Sequence, residues 1–384
     1  MIARLFAVSF ASLGLALAAF AQSTSVRTEA EYAVIMDYES GEVLFSKDGD
    51  VPMIPASMTK IMTAYVVFDR LRRGEISLTD QFTTSENAWR KGGFASGGST
   101  MGLAPGDQPT VEELLRGVII LSGNDACIVL AEGLSGSEEA FAEDMTALAA
   151  ELGLETATFK NATGLDEPGH RMSAVDLARL AKLSIEEFPE LYALYAETSY
   201  EWRGISQPNR NPLLGRMDGA DGLKTGHLSV SGYGLTASAE RDGQRRIVIV
   251  NGLDSIAQRA QESERLMRLA FTAFETRTIV PEAVILPELD VWLGQSRTVA
   301  VSLAEPMKIT AHKRALEGAK TEIVLEGPLE APITTDEVVG NLVVTIEGRD
   351  PVVAQIVADE SVARLGFFGR AIEGLSLMIS GGES

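Results

Sequence analysis

The apolar residues of the chain follow a period of two in two separate regions and a helical period in the region between them. Near the N-terminus, the runs YAVIMD and VLFSK flank Glu39-Ser40-Gly41, a pattern that predicts two strands and a turn. Residues 110–188 are then typical of successive helices, and residues 221–253 return to apolar strands. A helical pattern over residues 257–274 follows. This order predicts an α+β fold, with one antiparallel sheet built from both ends of a domain around a helical insertion.

Short alternating runs replace this pattern from about Pro281 to Arg364. They are separated by glycine and proline and include TVAVSL, MKITAH, TEIVLEG, GNLVVTIEG and VVAQIVAD. Such runs are typical of the strands of a small all-β domain. We therefore expect a second domain here, and nothing in its sequence suggests chemistry.

Both ends of the chain carry apolar patterns of another kind. Residues 1–21 combine Arg4, an apolar run and the small-x-small sequence Ala19-Phe20-Ala21, which predicts a secretory signal peptide cleaved after Ala21. Within residues 365–384, apolar residues recur three and four positions apart, on one face of a helix. Such an amphipathic tail either lies in a membrane surface or packs as an ordinary helix, and the sequence leaves both open.

Composition excludes several classes of function. The formal net charge is −21, from 54 acidic and 33 basic residues, whereas nucleic-acid binding depends on basic surfaces that neutralise phosphates. Cys127 is the single cysteine, so no internal disulfide can form, and its thiol is expected to pack as a small apolar group. The three histidines are scattered and form no cluster with the cysteine. We expect an exported soluble protein that uses no metal and no other cofactor.

The first stretch that suggests chemistry is PASMTKIMTAYVVF, residues 55–68. Ser57 and Lys60 lie three positions apart, on one face of the predicted helix, and the run that follows is almost entirely apolar. A serine hydroxyl becomes a nucleophile when a neighbouring base takes its proton. A lysine amine whose pKa is lowered by burial can be that base. Taken alone, the pair also fits a helix N-cap serine beside a surface lysine, which arises often by chance.

Two further polar elements follow along the chain. Ser122-Gly123-Asn124 falls on the connection between two predicted helices, and Lys224-Thr225-Gly226 falls on a predicted strand. Residues 85–107, between Ser57 and the first of these elements, are rich in glycine and serine. They are interpreted either as a flexible surface loop or as a wall beside the serine.

The three elements, in this order, resemble those of the penicillin-binding D-alanyl-D-alanine carboxypeptidases of the S11 serine peptidase family. The strings SGNDAC, NRN (residues 209–211) and GLKTGH extend the resemblance, which is loose over the β-domain and the tail. It implies a serine β-lactamase/transpeptidase-like catalytic domain, with an antiparallel sheet flanked by helices and a helical subdomain, followed by a small all-β domain. The implied organisation is a signal peptide (1–21), the catalytic domain (22–280), the β-rich domain (281–364) and the tail (365–384).

The resemblance also implies roles for the residues of the first two elements. Ser57 would attack the carbonyl between two D-alanines and form an acyl-enzyme, with Lys60 as general base. Ser122 would relay a proton between Lys60 and the leaving amine. Asn124 would hold an amide of the substrate and help to orient Lys60.

The third element would bind the end of the substrate. Lys224 and Thr225 would hold the terminal carboxylate, and Gly226 would let the substrate backbone approach the strand. The backbone N–H groups of Ser57 and His227 would form the oxyanion hole. For the His227 imidazole, a direct role and simple packing beside the site both stay open.

Two other functions remain as alternatives. A class A β-lactamase would carry S-D-N where this chain has S-G-N, and no Glu-x-x-x-Asn motif lies between Asn124 and Lys224. A non-catalytic protein that binds penicillin or peptidoglycan would normally have lost one polar member of the site. A Ser-His-Asp triad is disfavoured because no G-x-S-x-G elbow surrounds a serine. The expected function is therefore removal of the terminal D-alanine from peptidoglycan stem pentapeptides, which limits cell-wall crosslinking.

The resemblance implies partners and a location as well. The pentapeptide is the substrate, β-lactam antibiotics are acylating inhibitors, and the exported enzyme works in the periplasm, with a peripheral contact of its tail to the inner membrane. Several family members carry an arginine near the carboxylate site, where this chain has Asp254. Either Arg259 replaces that arginine, or Lys224 and Thr225 suffice.

Overall fold

The computed structural model describes residues 26–279, 286–325, 327–347 and 349–367. The predicted signal peptide and nearly all of the predicted tail lie outside these residues. The chain divides into two units: a larger one of Val26–Thr278 with Lys308–Lys313, and a smaller one that contains Ile279–Met307 and the chain from Arg314 onward. The predicted boundary between residues 280 and 281 stays a prediction.

The larger unit contains a five-stranded sheet with helices on both faces. The strands of the larger unit, in chain order, are β1 (Tyr32–Asp37), β2 (Val43–Lys47), β3 (Ser199–Trp202), β4 (Ile205–Pro208), β5 (Ala220–Leu228), β6 (Gly232–Arg241), β7 (Gln244–Leu253) and β8 (Phe274–Ile279). The order in the main sheet is β2-β1-β7-β6-β5, and every neighbouring pair is antiparallel. The N-terminal hairpin thus joins strands from the far end of the unit. The predicted fold class is confirmed.

Alternate residues of the central strands point to opposite faces of this sheet. Val34 and Met36 belong to a core shared with the helical block, whereas Ala33 and Ile35 belong to a core that includes the helix after β7. The helices are α1 (Lys60–Arg72), α2 (Glu86–Gly92), α3 (Val111–Ile119), α4 (Asn124–Ser135), α5 (Glu138–Glu151), α6 (Ala174–Glu187), α7 (Pro189–Tyr192) and α8 (Ile256–Thr272). The sheet therefore lies between α8 and the inserted helices.

Two local expectations differ from the structure. Ser57 lies in a short 3₁₀ turn, Ala56–Thr59, that leads into α1, so the predicted single helix begins in another geometry. The stretch 85–107, expected as a loop or a wall, begins with α2, whose N-cap Ser85 accepts a hydrogen bond from the N–H of Ala88. The glycines of the stretch lie at or beyond the end of α2, so they do not interrupt it.

The smaller unit is built mainly from short strands, as predicted. These are β9 (Leu289–Trp292), β10 (Thr298–Val299), β11 (Val301–Leu303), β13 (Lys320–Val324), β14 (Leu329–Glu330), β15 (Val338–Thr345) and β16 (Val352–Ala358), and the short helix α9 (Lys313–Glu317) precedes β13. They form sheets of order β10-β9-β14 and β11-β16-β15-β13. The remaining strand, β12 (Met307–His312), pairs with β8, and Lys308–Lys313 belong to the larger unit.

The described part of the chain contains no helix that is both long and apolar enough to cross a membrane.

Candidate active site

Ser57 and Lys60 are in direct contact at the start of α1. The Nζ atom of Lys60 lies 3.0 Å from the Oγ atom of Ser57, because side chains three positions apart in a 3₁₀ turn lie above one another. Nζ also donates to Oδ1 of Asn124 at 2.8 Å and to the carbonyl oxygen of Thr163 at 2.6 Å. The lysine is 1% exposed. The amine is thus held by three oxygens in a position from which it can take a proton from Ser57.

Burial controls the protonation of this amine. It lowers the pKa of Lys60 to about 8, and the charge of Arg210 acts in the same direction, whereas the carboxylates of Asp125 and Glu138 oppose it. An amine with this pKa is partly neutral at neutral pH and can act as a base. Burial also raises the pKa of the neighbouring Cys127 thiol to about 12, so this buried cysteine stays protonated and packs as an apolar group.

The connection from α3 to α4 forms one wall of the site. Ser122, 2% exposed with a φ of 59°, and Asn124, the first residue of α4, line the same cleft as Ser57. The N–H of Asn124 donates to the carbonyl oxygen of Ser99 at 2.8 Å. The buried Asp125 carboxylate accepts from Oγ1 of Thr100 at 2.6 Å and, within the glycine-rich stretch, from the backbone N–H groups of Met101, Gly102 and Leu103. The glycine-rich stretch is therefore fixed as a wall.

Strand β5 forms the opposite wall, with Thr225, Gly226 and His227 lining the cleft. Lys224 is 2% exposed, and burial, followed by the charge of Lys60, holds its pKa well below the usual range. The structure explains why a glycine occupies position 226, which the sequence did not reveal. A β-carbon there would lie 2.8 Å from the carbonyl oxygen of Pro55, so glycine lets β5 pack against the turn that carries Ser57.

The His227 imidazole stacks on the ring of Tyr233, with 3.8 Å between the ring centroids and 21° between the planes. Packing beside the site is thus observed for this side chain.

Two arginines complete the cleft, which has a volume of about 570 Å³. Arg259, on α8, is 7% exposed, and its guanidinium lies 5.8 Å from the Tyr233 ring centroid. Its Nε is buried and has no hydrogen-bond partner in the described part of the chain. Arg210 donates to Oγ of Ser99 across the cleft. Asp254 does not line the cleft; its N–H donates to Oε1 of Gln258 at the start of α8.

The charged side chains that line the cleft are positive, although the protein as a whole is acidic. They are Arg210 and Arg259, and no aspartate or glutamate is among the described lining residues. Within the same described ranges, no group of three or more histidine, cysteine, aspartate or glutamate residues could hold a metal ion. The arrangement suits an anionic substrate and attack by a serine.

In the sequence, Arg210 stands out only as the middle of the string NRN. Thr163, whose carbonyl oxygen contacts Lys60, does not stand out at all. A backbone carbonyl carries no residue-type signal. The flanking Asn209 and Asn211 side chains bond to nearby backbone groups and fix the turn that bears Arg210. Asparagines on both sides of an arginine were therefore a signal for a fixed cation.

Comparison with known proteins gives consistent matches. Residues 18–255 match a family model described as D-alanyl-D-alanine carboxypeptidase, and residues 274–364 match one described as the C-terminal domain of penicillin-binding protein 5. The chain is 40% identical over 359 residues to the D-alanyl-D-alanine carboxypeptidase DacC of Escherichia coli, with 92% of this chain and 90% of that protein covered. DacF of Bacillus subtilis is 35% identical, with 92% of each chain covered.

Solved structures agree. Penicillin-binding protein 5 of Haemophilus influenzae has a TM-score of 0.73 and 35% identity, with 89% of this chain and 99% of that chain covered. Penicillin-binding protein D2 of Listeria monocytogenes, in its ampicillin-bound form, has a TM-score of 0.56 and 28% identity, with 64% of this chain and 99% of that chain covered.

Proposed function

The chain belongs to the S11 family of serine peptidases and is a D-alanyl-D-alanine carboxypeptidase, and we propose that it acts through an acyl-enzyme on Ser57. The observation that carries this proposal is the 3.0 Å contact between a buried amine and the Ser57 hydroxyl. No other base has to be recruited, because the neutral form of Lys60 is accessible at the pH of the reaction.

The chemistry follows from the positions of these groups. Neutral Lys60 takes the Ser57 proton while Oγ attacks the carbonyl carbon between the two D-alanines, and the backbone N–H groups of Ser57 and His227 hold the resulting oxyanion. When the C–N bond breaks, the proton passes through Ser122 to the leaving D-alanine amine. Water then attacks the ester carbonyl carbon while the Lys60 amine takes a proton from the water. The proton passes to Oγ of Ser57 as the ester C–O bond breaks, and Ser57 is regenerated.

The positive side chains of the cleft support a substrate that enters it by a negatively charged end. Lys224 and Thr225 on β5, together with Arg259 on α8, would bind the terminal carboxylate, which every D-alanyl-D-alanine substrate carries. Arg259 suits this role because it is buried beside the cleft and its Nε has no hydrogen-bond acceptor among the described residues. We thus assign Arg259 the role that the sequence left open between two alternatives.

The carboxylate role predicts a substrate-dependent effect for Arg259→Gln. For a peptide with a free terminal carboxylate, we expect kcat/KM to fall by about 10- to 100-fold, because a hydrogen bond to a charged group is lost. For the same peptide ended by a carboxamide, the change should stay within about twofold. Arg265→Gln, an exposed change on the same helix, is the control. Equal losses on both peptides would rule out the carboxylate role.

Penicillin separates this function from its alternatives. With no carboxylate among the described residues that line the cleft, we expect slow hydrolysis of a penicilloyl ester. Intact mass spectrometry after mixing with benzylpenicillin should show a whole-penicillin adduct that persists for minutes or longer. A short-lived adduct with consumption of the drug would indicate a β-lactamase, and the absence of any adduct would indicate a binding protein.

The location of the enzyme is also a proposal. A substrate in the cell wall requires export, which residues 1–21 would direct, and we place the mature enzyme in the periplasm with a peripheral inner-membrane contact through residues 365–384. The same intact-mass measurement reads the mature N-terminus, which we expect at Gln22.

A further inference from the structure

The turn after α5 supplies one of the three oxygens around the Lys60 amine. The carbonyl oxygen of Thr163 accepts from Nζ at 2.6 Å, the shortest of the three contacts. This oxygen belongs to the backbone, so its position depends on whatever fixes the conformation of the turn.

Asn161 fixes that conformation. Its Oδ1 accepts from the N–H of Thr163 at 3.2 Å, from Oγ1 of Thr163 at 3.0 Å and from the N–H of Gly164 at 2.8 Å. Its Nδ2 donates to the carbonyl oxygen of Leu165 and to Oε2 of Glu167. The side chain, in a residue only 7% exposed, thus makes five hydrogen bonds within one turn.

Two contacts fix the position of this turn relative to α1 and to the 3₁₀ turn that carries Ser57. Oγ1 of Thr63, on α1, donates to the carbonyl oxygen of Ala162 at 2.6 Å. Gly164 has a φ of 79°, and a β-carbon there would lie 1.9 Å from the carbonyl oxygen of Ala56. The Thr163 carbonyl is therefore held from both sides.

The number of donors on the amine gives this carbonyl a specific consequence. A charged lysine amine has three N–H donors, which match the three oxygens. The neutral amine has two N–H donors and one lone pair. The oxygens of Asn124 and Thr163 can only accept, whereas the Ser57 hydroxyl can donate. If both N–H donors are used by the two acceptors, the lone pair faces the hydroxyl.

We infer that the Thr163 carbonyl, fixed by Asn161, directs the lone pair of neutral Lys60 at the Ser57 hydroxyl, which makes Asn161 a positioning residue of the acylation step. The inference rests on the proposed roles of Ser57 and Lys60. Without the carbonyl, the neutral amine can rotate to place an N–H toward Ser57, and the proton transfer has no acceptor in line.

The test is Asn161→Ala, measured as the saturating acylation rate constant and the binding constant for a fluorescent penicillin. The measurement is made at about pH 9, where an amine with a pKa of about 8 is mostly neutral. We expect the rate constant to fall by about 10- to 100-fold, since small misplacements of reacting groups have effects of that size. The binding constant should stay within about twofold.

Three further variants complete the test. Asn161→Asp combined with Glu167→Gln keeps the oxygen that accepts from Thr163 and Gly164 and avoids two facing carboxylates, but it loses the donor to the Leu165 carbonyl, so it should restore part of the rate constant. Thr63→Val removes the hydrogen bond to the Ala162 carbonyl oxygen with little change in side-chain volume, and it should lower the acylation rate constant several-fold. This variant tests the inference if Asn161→Ala does not fold. Ser173→Ala, which removes the N-cap of α6 away from the amine, should lower stability by about 1 kcal/mol without slowing acylation.

An unchanged acylation rate constant in Asn161→Ala and Thr63→Val, or an equal loss in Ser173→Ala, would overturn the inference. A different result would contradict the proposed function itself: a penicillin adduct that still forms after Ser57 is replaced by alanine.

Discussion

Ser57→Ala is expected to form no penicillin adduct and to lose roughly 10⁵-fold or more in kcat on a D-alanyl-D-alanine peptide. The change removes the oxygen that carries the acyl group in the proposed mechanism, and it leaves Lys60 held by Asn124 and Thr163. Because the walls of the cleft are fixed by other residues, noncovalent binding of the peptide should persist. Intact mass and single-turnover kinetics measure both parts of this expectation.

The control for this variant is Ser184→Ala. Ser184 is buried, whereas Ser57 is partly exposed to the cleft, and the Ser184 hydroxyl donates within α6 to the carbonyl oxygen of Leu180. It should keep full acylation. A penicillin adduct on Ser57→Ala would place the nucleophile at another residue and end the proposed mechanism.

Lys60→Arg is expected to lower the acylation rate constant by about 10²- to 10⁴-fold at neutral pH, the usual contribution of a general base. An arginine keeps a positive charge but does not lose its proton at any working pH. In the unchanged enzyme, the amine must be neutral, and its pKa is about 8. Acylation should therefore slow as the pH falls below that value, by about tenfold for each pH unit.

The pH profile distinguishes a base from a simple cation. In Lys60→Arg, the rise of the acylation rate constant around pH 8 should be absent, and only a low, flat rate should remain. Burial holds the pKa of Lys224 well below its usual range, and any loss of its proton should alter the binding constant instead of the rate constant, because its proposed role is to bind the substrate. A rise at the same pH in Lys60→Arg would assign the base to another group.

The parts of the site that the sequence predicted are local in the chain. Ser57 and Lys60 are three positions apart, so the geometry of one turn brings them together, and Thr225 to His227 follow one another on a strand. Alternating apolar residues likewise predicted the sheet, because one face of each strand must meet one core. These are relations over a few residues, which a period can reveal.

The parts that the sequence did not predict depend on contacts between distant segments. Thr163 is 103 positions from Lys60 and contacts it through a backbone oxygen. Arg210 meets Ser99 over 111 positions. The reason for Gly226 lies in the carbonyl of Pro55, on a different element. No periodic pattern records such encounters, and only the folded chain shows which side chain fills which space.

The pairing of β12 with β8 bears on the order in which the protein matures. A polypeptide is synthesised from its N-terminus, yet Lys308–Lys313 belong to the larger unit and follow Ile279–Met307, which belong to the smaller one. A nascent chain that has not reached β12 presents β8 without the partner of its two-stranded sheet. Such an edge can pair with another chain. Completion of the unit that hydrolyses the substrate is thus postponed until part of its neighbour has been made.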